Sequence, residues 1–337
     1  VYRSHALKYY DSKTNKIRTI FDSDANKILS HSSCTKLNDG SILITGGGGP
    51  LMKKILASTN IFLPETKQIK KSPDMLMPRA YHNAITLNDG RVLISGGKTG
   101  KMVYWPDVSD RKLEFYNPKT NKFEYGPALP NTIYEHTAVN LSDGNVLIIG
   151  GRIEGDFKEG NKSCHGQLNR DIILYNAKHN KIEIIGSLDK TQAVFEVFCI
   201  DDKIYIVSKA PAPDAYCAGD KEIEGKKYFK QVLIEEFDYN SQSIKLLNKA
   251  AFRDNNYSVI LLPDNTLLFY KTNSWFPFGH AIIFNPKANK FKSAFIKIPL
   301  FYVQGASAIL KDNAVLTIGT SLYGLSEYAA IYKMSKK

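Results

Sequence analysis

Six short segments of this 337-residue chain place polar and titratable side chains directly ahead of apolar, β-branched runs. They are His31-Ser32, Tyr81-His82, Glu135-His136, Val194-Phe195-Glu196, Asn256-Tyr257 and Gln304-Gly305. Tyr81, His82, Tyr257 and Gln304 are the candidate ligand-binding residues among them. Arg79, Arg152 and Arg253 can reach the same place from neighbouring loops. Such a mixed polar set suits a small hydroxylated ligand or an acidic side chain. His82 and His136, with Glu135 alongside, also have metal-ligand chemistry, but two histidines on separate strands are a weak signal. No metal site and no cofactor are expected.

Other chemistries are weakened by the residues themselves. The stretch TGGGGP, Thr45 to Pro50, follows an apolar run but lacks the Gly-Lys-Ser/Thr of a phosphate loop and runs into a proline. No nucleophile elbow is present. No stretch of eighteen or more apolar residues suggests a membrane span. The chain begins at Val1 without a basic-then-apolar leader, so a segment removed upstream is compatible with the sequence.

The elements that must position these residues come from two repeated phrases. The first is LNDGSILITGG (Leu37 to Gly47), LNDGRVLISGG (Leu87 to Gly97) and LSDGNVLIIGG (Leu141 to Gly151), with looser copies at Cys199 to Lys209, Leu261 to Lys271 and Ile309 to Gly319. Asp-Gly is tight-turn chemistry, and the apolar run after it reads as a buried strand, so each phrase is a β-hairpin. The second phrase alternates with it: YYDSKTNKI at Tyr9, FLPETKQI at Phe62, FYNPKTNKF at Phe115, LYNAKHNKI at Leu174, EFDYNSQSI at Glu236 and IFNPKANKF at Ile283. Each reads as strand, polar turn, strand. Two hairpins per period of roughly fifty residues make a four-stranded sheet, and such sheets repeated around an axis make a β-propeller.

The order of turn, Asp-Gly, apolar strand, Gly-Gly and then YNPKTNKF resembles the kelch repeat, also seen in galactose-oxidase-like proteins. It is strongest from Pro78 to about Leu188. Later copies replace Gly-Gly by Ser208-Lys209, Lys271-Thr272 and Gly319-Thr320, and Phe123 or Ile182 stands where the family usually has Trp. The resemblance implies an all-β, six-bladed kelch-type propeller in one domain, 1–337. Its blades fall near 31–72, 82–126, 136–186, 193–248, 257–295 and 306–334. Residues 1–20 supply outer strands that close the last blade, with Glu327 to Lys333 competing for the third-strand place. In kelch-like repeats, His and Arg at the positions named above also serve as inter-blade hydrogen-bonding residues, and that structural role is the commoner one. Galactose oxidase itself uses copper held by two Tyr and two His, a pattern that no segment here matches.

With strands lettered A to D from the axis outward, the A–B turns carry Asp39, Asp89, Asp143, Asp202, Asp264 and Asp312, and the C–D turns are rich in lysine. The formal charge of +12 thus reads as a solvated lysine rim over an acidic inner ring. Without interleaved aromatics, no nucleic-acid partner is expected. The opposite face carries long B–C loops, Lys98 to Arg111, Arg152 to Asn169 and Lys209 to Lys230, the last two of which read as having no secondary structure. Trp105 and Trp275 fall in B–C loops and are candidate binding aromatics, with pinning of their own loops the competing role. Cys34 and Cys199 fall in A strands as small buried groups. Cys164 and Cys217 lie in B–C loops of adjacent blades, which makes them a candidate disulfide and argues for a secreted or periplasmic protein, with a cytoplasmic one as the alternative. The expected function is a monomeric binding module for a glycan or protein partner on the B–C/D–A face. The alternative, implied by the sialic-acid mutarotases among kelch propellers, is a sugar-active enzyme in whose central funnel a general acid and base open and reclose a ring, with Glu135, His136, Glu196 and Arg253 as the candidate catalytic residues.

Overall fold

The computed structural model describes residues 8–11, 16–19, 31–48, 54–99, 111–159, 162–188, 193–210, 216–217, 231–251, 257–271, 273–274, 278–297, 302–303, 307–310, 314–321 and 327–333. Every regular element among them is a β-strand, and no helix is long and apolar enough to cross a membrane.

The sheets follow the repeat. Blade one pairs Ser33–Lys36, Ile42–Thr45, Thr59–Leu63 and Gln68–Ser72 in that order; blade two pairs Asn83–Thr86, Val92–Ser95, Lys112–Asn117 and Lys122–Ala128. Blade three is built from Thr137–Asn140, Val146–Ile149, Asp171–Asn176 and Lys181–Ser187; blade four from Ala193–Ile200, Lys203–Ala210, Gln231–Asp238 and Ser243–Ala251. Blade five uses Tyr257–Leu261, Leu267–Lys271, Phe278–Asn285 and Lys290–Lys297. The last sheet pairs Ser307–Leu310 with Ala314–Ser321, whose other edge carries Glu327–Lys333, so this segment takes the third-strand place. The N-terminal strands Lys8–Asp11 and Lys16–Thr19 pair with each other. The architecture is all-β, with six blade sheets as in a propeller.

The chain divides into two compact units. The first runs through Thr19–Tyr228 and also takes in Val1–Tyr9 and Glu236–Lys245; the second comprises Tyr10–Arg18, Phe229–Glu235 and Leu246–Lys337. In the first unit the B strands show why one blade cannot stand alone. Alternate residues of a strand point to opposite sheet faces, so both faces of each sheet must be covered. Val92 and Ile94 pack toward blade one with Leu37, Leu43, Met75 and Tyr116. Leu93 packs toward blade three with Val146, Ile148, Ile173 and Tyr175. Leu147 and Ile149 continue the pattern toward blade four with Ile204, Ile206 and Phe237. At the inner edge, side-chain bonds tie one A strand to the next: Thr35 Oγ1 donates to the Ala84 carbonyl, Thr86 Oγ1 to Lys36 and Asn140 Nδ2 to Thr86. In the second unit, Leu262, Leu268, Tyr270 and Ala281 form a core with Ile260 and Ile283.

The repeated polar letters serve local turns. In the A–B turns the aspartate accepts from the backbone two residues on: Asp39 from Ser41, Asp89 from Arg91, Asp143 from Asn145 and Asp264 from Thr266. In the C–D turns Asn117, Asn176 and Asn285 accept from Lys119, His179 and Ala288. Asn121, Asn180 and Asn289 then take the left-handed conformation, at φ 53°, 50° and 49°, which asparagine tolerates better than most residues.

Two expectations are corrected. The B–C segment of blade three is not irregular: Arg152–Glu159 and Lys162–Leu168 form an antiparallel hairpin, with a register shift between Ile153 and Asp156. Its mostly polar alternation, without an apolar run, hid the strands. By surface area Cys34 is exposed and Cys199 half-buried, although the protein around the Cys34 thiol still desolvates it enough to push its pKa up.

Candidate functional site

The Gly-Gly pairs and the residues ahead of the A strands meet at the blade seams. Gly46 sits at φ +61°, and a Cβ there would lie 2.2 Å from the Arg79 carbonyl oxygen and 2.9 Å from His82 Cε1. Gly96 repeats this at φ +56°, with 2.2 Å to the Ile133 carbonyl oxygen and 2.7 Å to His136 Cε1. The backbone N–H groups of Gly47 and Gly97 donate to those same two carbonyls. Glycine is needed because the next blade's entering chain occupies the space a side chain would take.

His82 and His136 belong to this seam. Each is buried, with Nε2 2.8 Å from Thr45 Oγ1 and 2.7 Å from Ser95 Oγ respectively. Their Nδ1 atoms are buried without a hydrogen-bond partner among the described residues. A bare ring nitrogen costs less to bury than an unpaired N–H or a cation, so the neutral tautomer with Nε2–H donating to the hydroxyl fits both sites. Burial, followed by the nearby Arg79 cation, depresses both pKa values to about 3. Arg79 is also enclosed: Nε donates to Glu114 Oε1 at 2.8 Å, Nη1 to the Gly96 carbonyl and Nη2 to the Lys112 carbonyl, while Glu114 Oε2 accepts from the Leu76 backbone. Arg152 is buried with Nη1 donating to the Gly166 carbonyl. His82, His136, Arg79 and Arg152 thus hold strands and blades together, and the expectation that they face a ligand is corrected on that ground. Among the described residues, no group of three or more His, Cys, Asp and Glu converges as a metal site requires.

One residue earlier, the side chains differ in kind. His31, Tyr81 and Glu135 occupy the same position in blades one, two and three, and all three are left-handed, at φ 66°, 59° and 57°. They are linked in series: Tyr81 N–H donates to the His31 carbonyl and Glu135 N–H to the Tyr81 carbonyl, each at 3.0 Å. The His31 and Tyr81 rings lie 3.8 Å apart, and Tyr134 meets Tyr81 edge-on at 6.4 Å. Lys98 Nζ sits 4.2 Å from the Tyr134 ring centroid and 5.7 Å from that of Tyr81, within cation–π range. His31 and Glu135 are exposed and Tyr81 is half-buried. Of the expected site residues, Tyr81 and Glu135 are therefore brought together, with His31, Lys98 and Tyr134 added. Sequence spacing singled out His31 but gave no sign of Lys98 or Tyr134, which follow from the pairing of the segment before each A strand with the segment after Gly-Gly (Ala80 with Lys98, Tyr134 with Arg152).

Glu196 lies on strand A of blade four beside a register shift between Val194 and Glu196. It is half-buried, and burial raises its pKa to about 7. No described residue hydrogen-bonds or ion-pairs with its carboxyl group. Tyr257 opens strand A of blade five, opposite Lys271, and is half-buried. Arg253, Gln304, Trp105 and Trp275 lie outside the described residues.

No family model matches the sequence. Alpha-scruin of Limulus polyphemus, a kelch-repeat protein, is 26% identical over 172 residues, which is 49% of this chain and 17% of that protein. Among solved structures, a fungal alcohol oxidase of the AA5 family in complex with copper matches at a TM-score of 0.58 and 14% identity, over 94% of this chain and 63% of that one. The chain thus spans less than two thirds of either relative. At this identity the likeness to the oxidase is one of fold.

Proposed function

We propose that the chain is a binding module: a kelch-type propeller that holds a glycan or protein partner over His31, Tyr81 and Glu135. The observation that carries this is the conformation of those residues. A left-handed residue is cheapest as glycine, and a bulky aromatic there is unusual. Three successive blades nevertheless carry His, Tyr and Glu in that conformation. Backbone geometry alone would be served at lower strain by glycine, which points to a role for what these side chains present. What they present is an aromatic face, an exposed carboxylate and a lysine ammonium: the first suits the apolar face of a sugar ring or a flat side chain, the others its hydroxyl or charged groups. The test is a glycan array together with affinity capture of protein partners, comparing the wild type with Tyr81→Ser and Glu135→Gln. Binding should fall at least tenfold in one format for both variants, with unchanged Tm. A ligand bound equally by wild type and both variants would remove this surface from the site.

A second reading rests on Glu196. A half-buried carboxyl group without a partner among the described residues, titrating near neutrality, has the proton affinity wanted of a general acid or base. It supports a sugar-ring opening and reclosing activity, the mutarotase-like alternative. Anomerisation assays on Glu196→Gln and Glu135→Gln decide it: activity unchanged in both rejects their role.

A further inference from the structure

We infer that Cys164 and Cys217 form a disulfide that staples the loop hairpin of blade three to the loop of blade four. Strand Lys162–Leu168 pairs on one side with Arg152–Glu159 and on the other with the two-residue strand Tyr216–Cys217. In that second pairing Cys164 stands directly opposite Cys217, and His165 opposite Tyr216. Residues directly opposed across an antiparallel pair have Cα atoms about 4.5–5.5 Å apart, inside the roughly 4.4–6.8 Å span a disulfide uses. The backbone thus already has the spacing the bond requires. A strand of two residues, held by two register pairs, is too short to secure a loop by hydrogen bonding alone. A covalent bond closing the intervening loop gives that weak pairing its permanence.

The staple also reaches the binding surface. Two residues from Cys164, Gly166 takes φ +67° with Tyr134 Oη and Arg152 Cδ packed where its side chain would be, and its carbonyl accepts from Arg152. Tyr134 carries the contacts to Lys98 and Tyr81. The bond therefore fixes the strand against which that cluster rests.

Formation removes two protons and two electrons from the thiols. The acceptor is a disulfide of the small-molecule or protein thiol–disulfide class, whose own S–S bond breaks to two thiols. Such a bond persists in an oxidising compartment, so the inference carries with it a location outside the reducing cytoplasm.

The test is free of any assumption about a ligand. Full-length protein equilibrated with glutathione disulfide is denatured without reductant, alkylated and mapped by mass spectrometry. The expected result is alkylation of Cys34 and Cys199 only, with a peptide linking Cys164 to Cys217. Dithiothreitol should lower the wild-type Tm by about 5–10 °C, and the Cys164→Ser/Cys217→Ser variant should show no reductant-dependent shift. Four alkylated cysteines, or a link that includes Cys34 or Cys199, overturns the inference. Should the double variant not fold, the alkylation map and the reductant shift of the wild type decide alone.

Discussion

Glycine tolerance at the turns and seams separates backbone strain from steric exclusion. Gly40 and Gly46 both have positive φ, at +86° and +61°, but nothing lies within 4 Å of a Cβ on Gly40, whereas one on Gly46 would meet the Arg79 carbonyl at 2.2 Å. Gly40→Ala should therefore cost about 1–2 kcal/mol, the left-handed penalty alone. Gly46→Ala adds overpacking of about 1–3 kcal/mol to that penalty, and the difference is measurable by urea unfolding. The Arg79–Glu114 pair makes a second comparison. Both side chains are fully enclosed, so removing one partner strands a buried charge at about 3–5 kcal/mol. Glu114→Gln should destabilise on that scale and Arg79→Met at least as much, because two carbonyls also lose their donor. The Arg79→Met/Glu114→Leu double variant should recover part of the loss. A strictly additive double variant would show that the pair is not coupled.

The blade seam is the element at which pH acts. Seams one–two and two–three carry Thr45 with His82 and Ser95 with His136, while at seam three–four Gly150 meets Val194, with Ile149 ahead of the glycine pair. The chain thus uses a hydroxyl–imidazole pair twice and an apolar pair once for the same contact. Both histidines have folded pKa values of about 3, below the ordinary 6.5. The unfolded chain therefore binds more protons between those values, and stability falls as pH drops below 6.5, by up to about 1.4 kcal/mol per pH unit for each histidine. Replacing Ser95 and His136 by Ile and Val should flatten that limb. Glu196 acts in the opposite sense: its pKa is raised from 4.5 to about 7, so its burial disfavours the fold increasingly as pH rises through that window. Between pH 4.5 and 6.5 it opposes the two histidines, so Glu196→Gln should steepen the acid limb there and remove the loss of stability between pH 6.5 and 7. Denaturation midpoints from pH 4 to 8 read both effects, and parallel curves for wild type and variants would reject them. The seams also mark where sequence reading stops. Asp-Gly and Asn-Lys turns are legible because their chemistry lies within four residues. The left-handed backbone of His31, Tyr81 and Glu135 is not, because none of these residue types signals it, and the Arg79–Glu114 bond is not, because its partners come from different hairpins. His82 and His136 attract a functional reading by residue type alone, and only their burial against Gly46 and Gly96 assigns them to packing.

At the scale of the whole molecule the question is how a repeat array ends. Stability in such arrays is close to a sum of neighbour contacts, so a terminal repeat with an open edge is the weak point. Blades one to five each have four strands in the order inner to outer, whereas the last has Ser307–Leu310, Ala314–Ser321 and Glu327–Lys333 as its first three. The third of these, EYAAIYK, would present an apolar strand edge if left uncovered, a liability for association between molecules. Residues Tyr10–Arg18 of the N-terminal hairpin fall in the same compact unit as the last blade. The flanking Val1–Tyr9 and Thr19 group with the other unit, and the described hairpin strands pair with each other, so the hairpin as cover is what the repeat pattern of the sequence expects. Deleting residues 1–20 should then do two things together. The Tm should fall by several degrees, since burial at one blade edge is lost, and light scattering on heating should begin at lower protein concentration, since an edge is freed. The comparison is a charge placed on that edge strand, Ile331→Lys, made both in the full-length chain and in the deleted one. If the hairpin covers this strand, the lysine destabilises the full-length protein and relieves aggregation in the deleted one. An unchanged melting temperature after the deletion would mean that the last blade is complete without it.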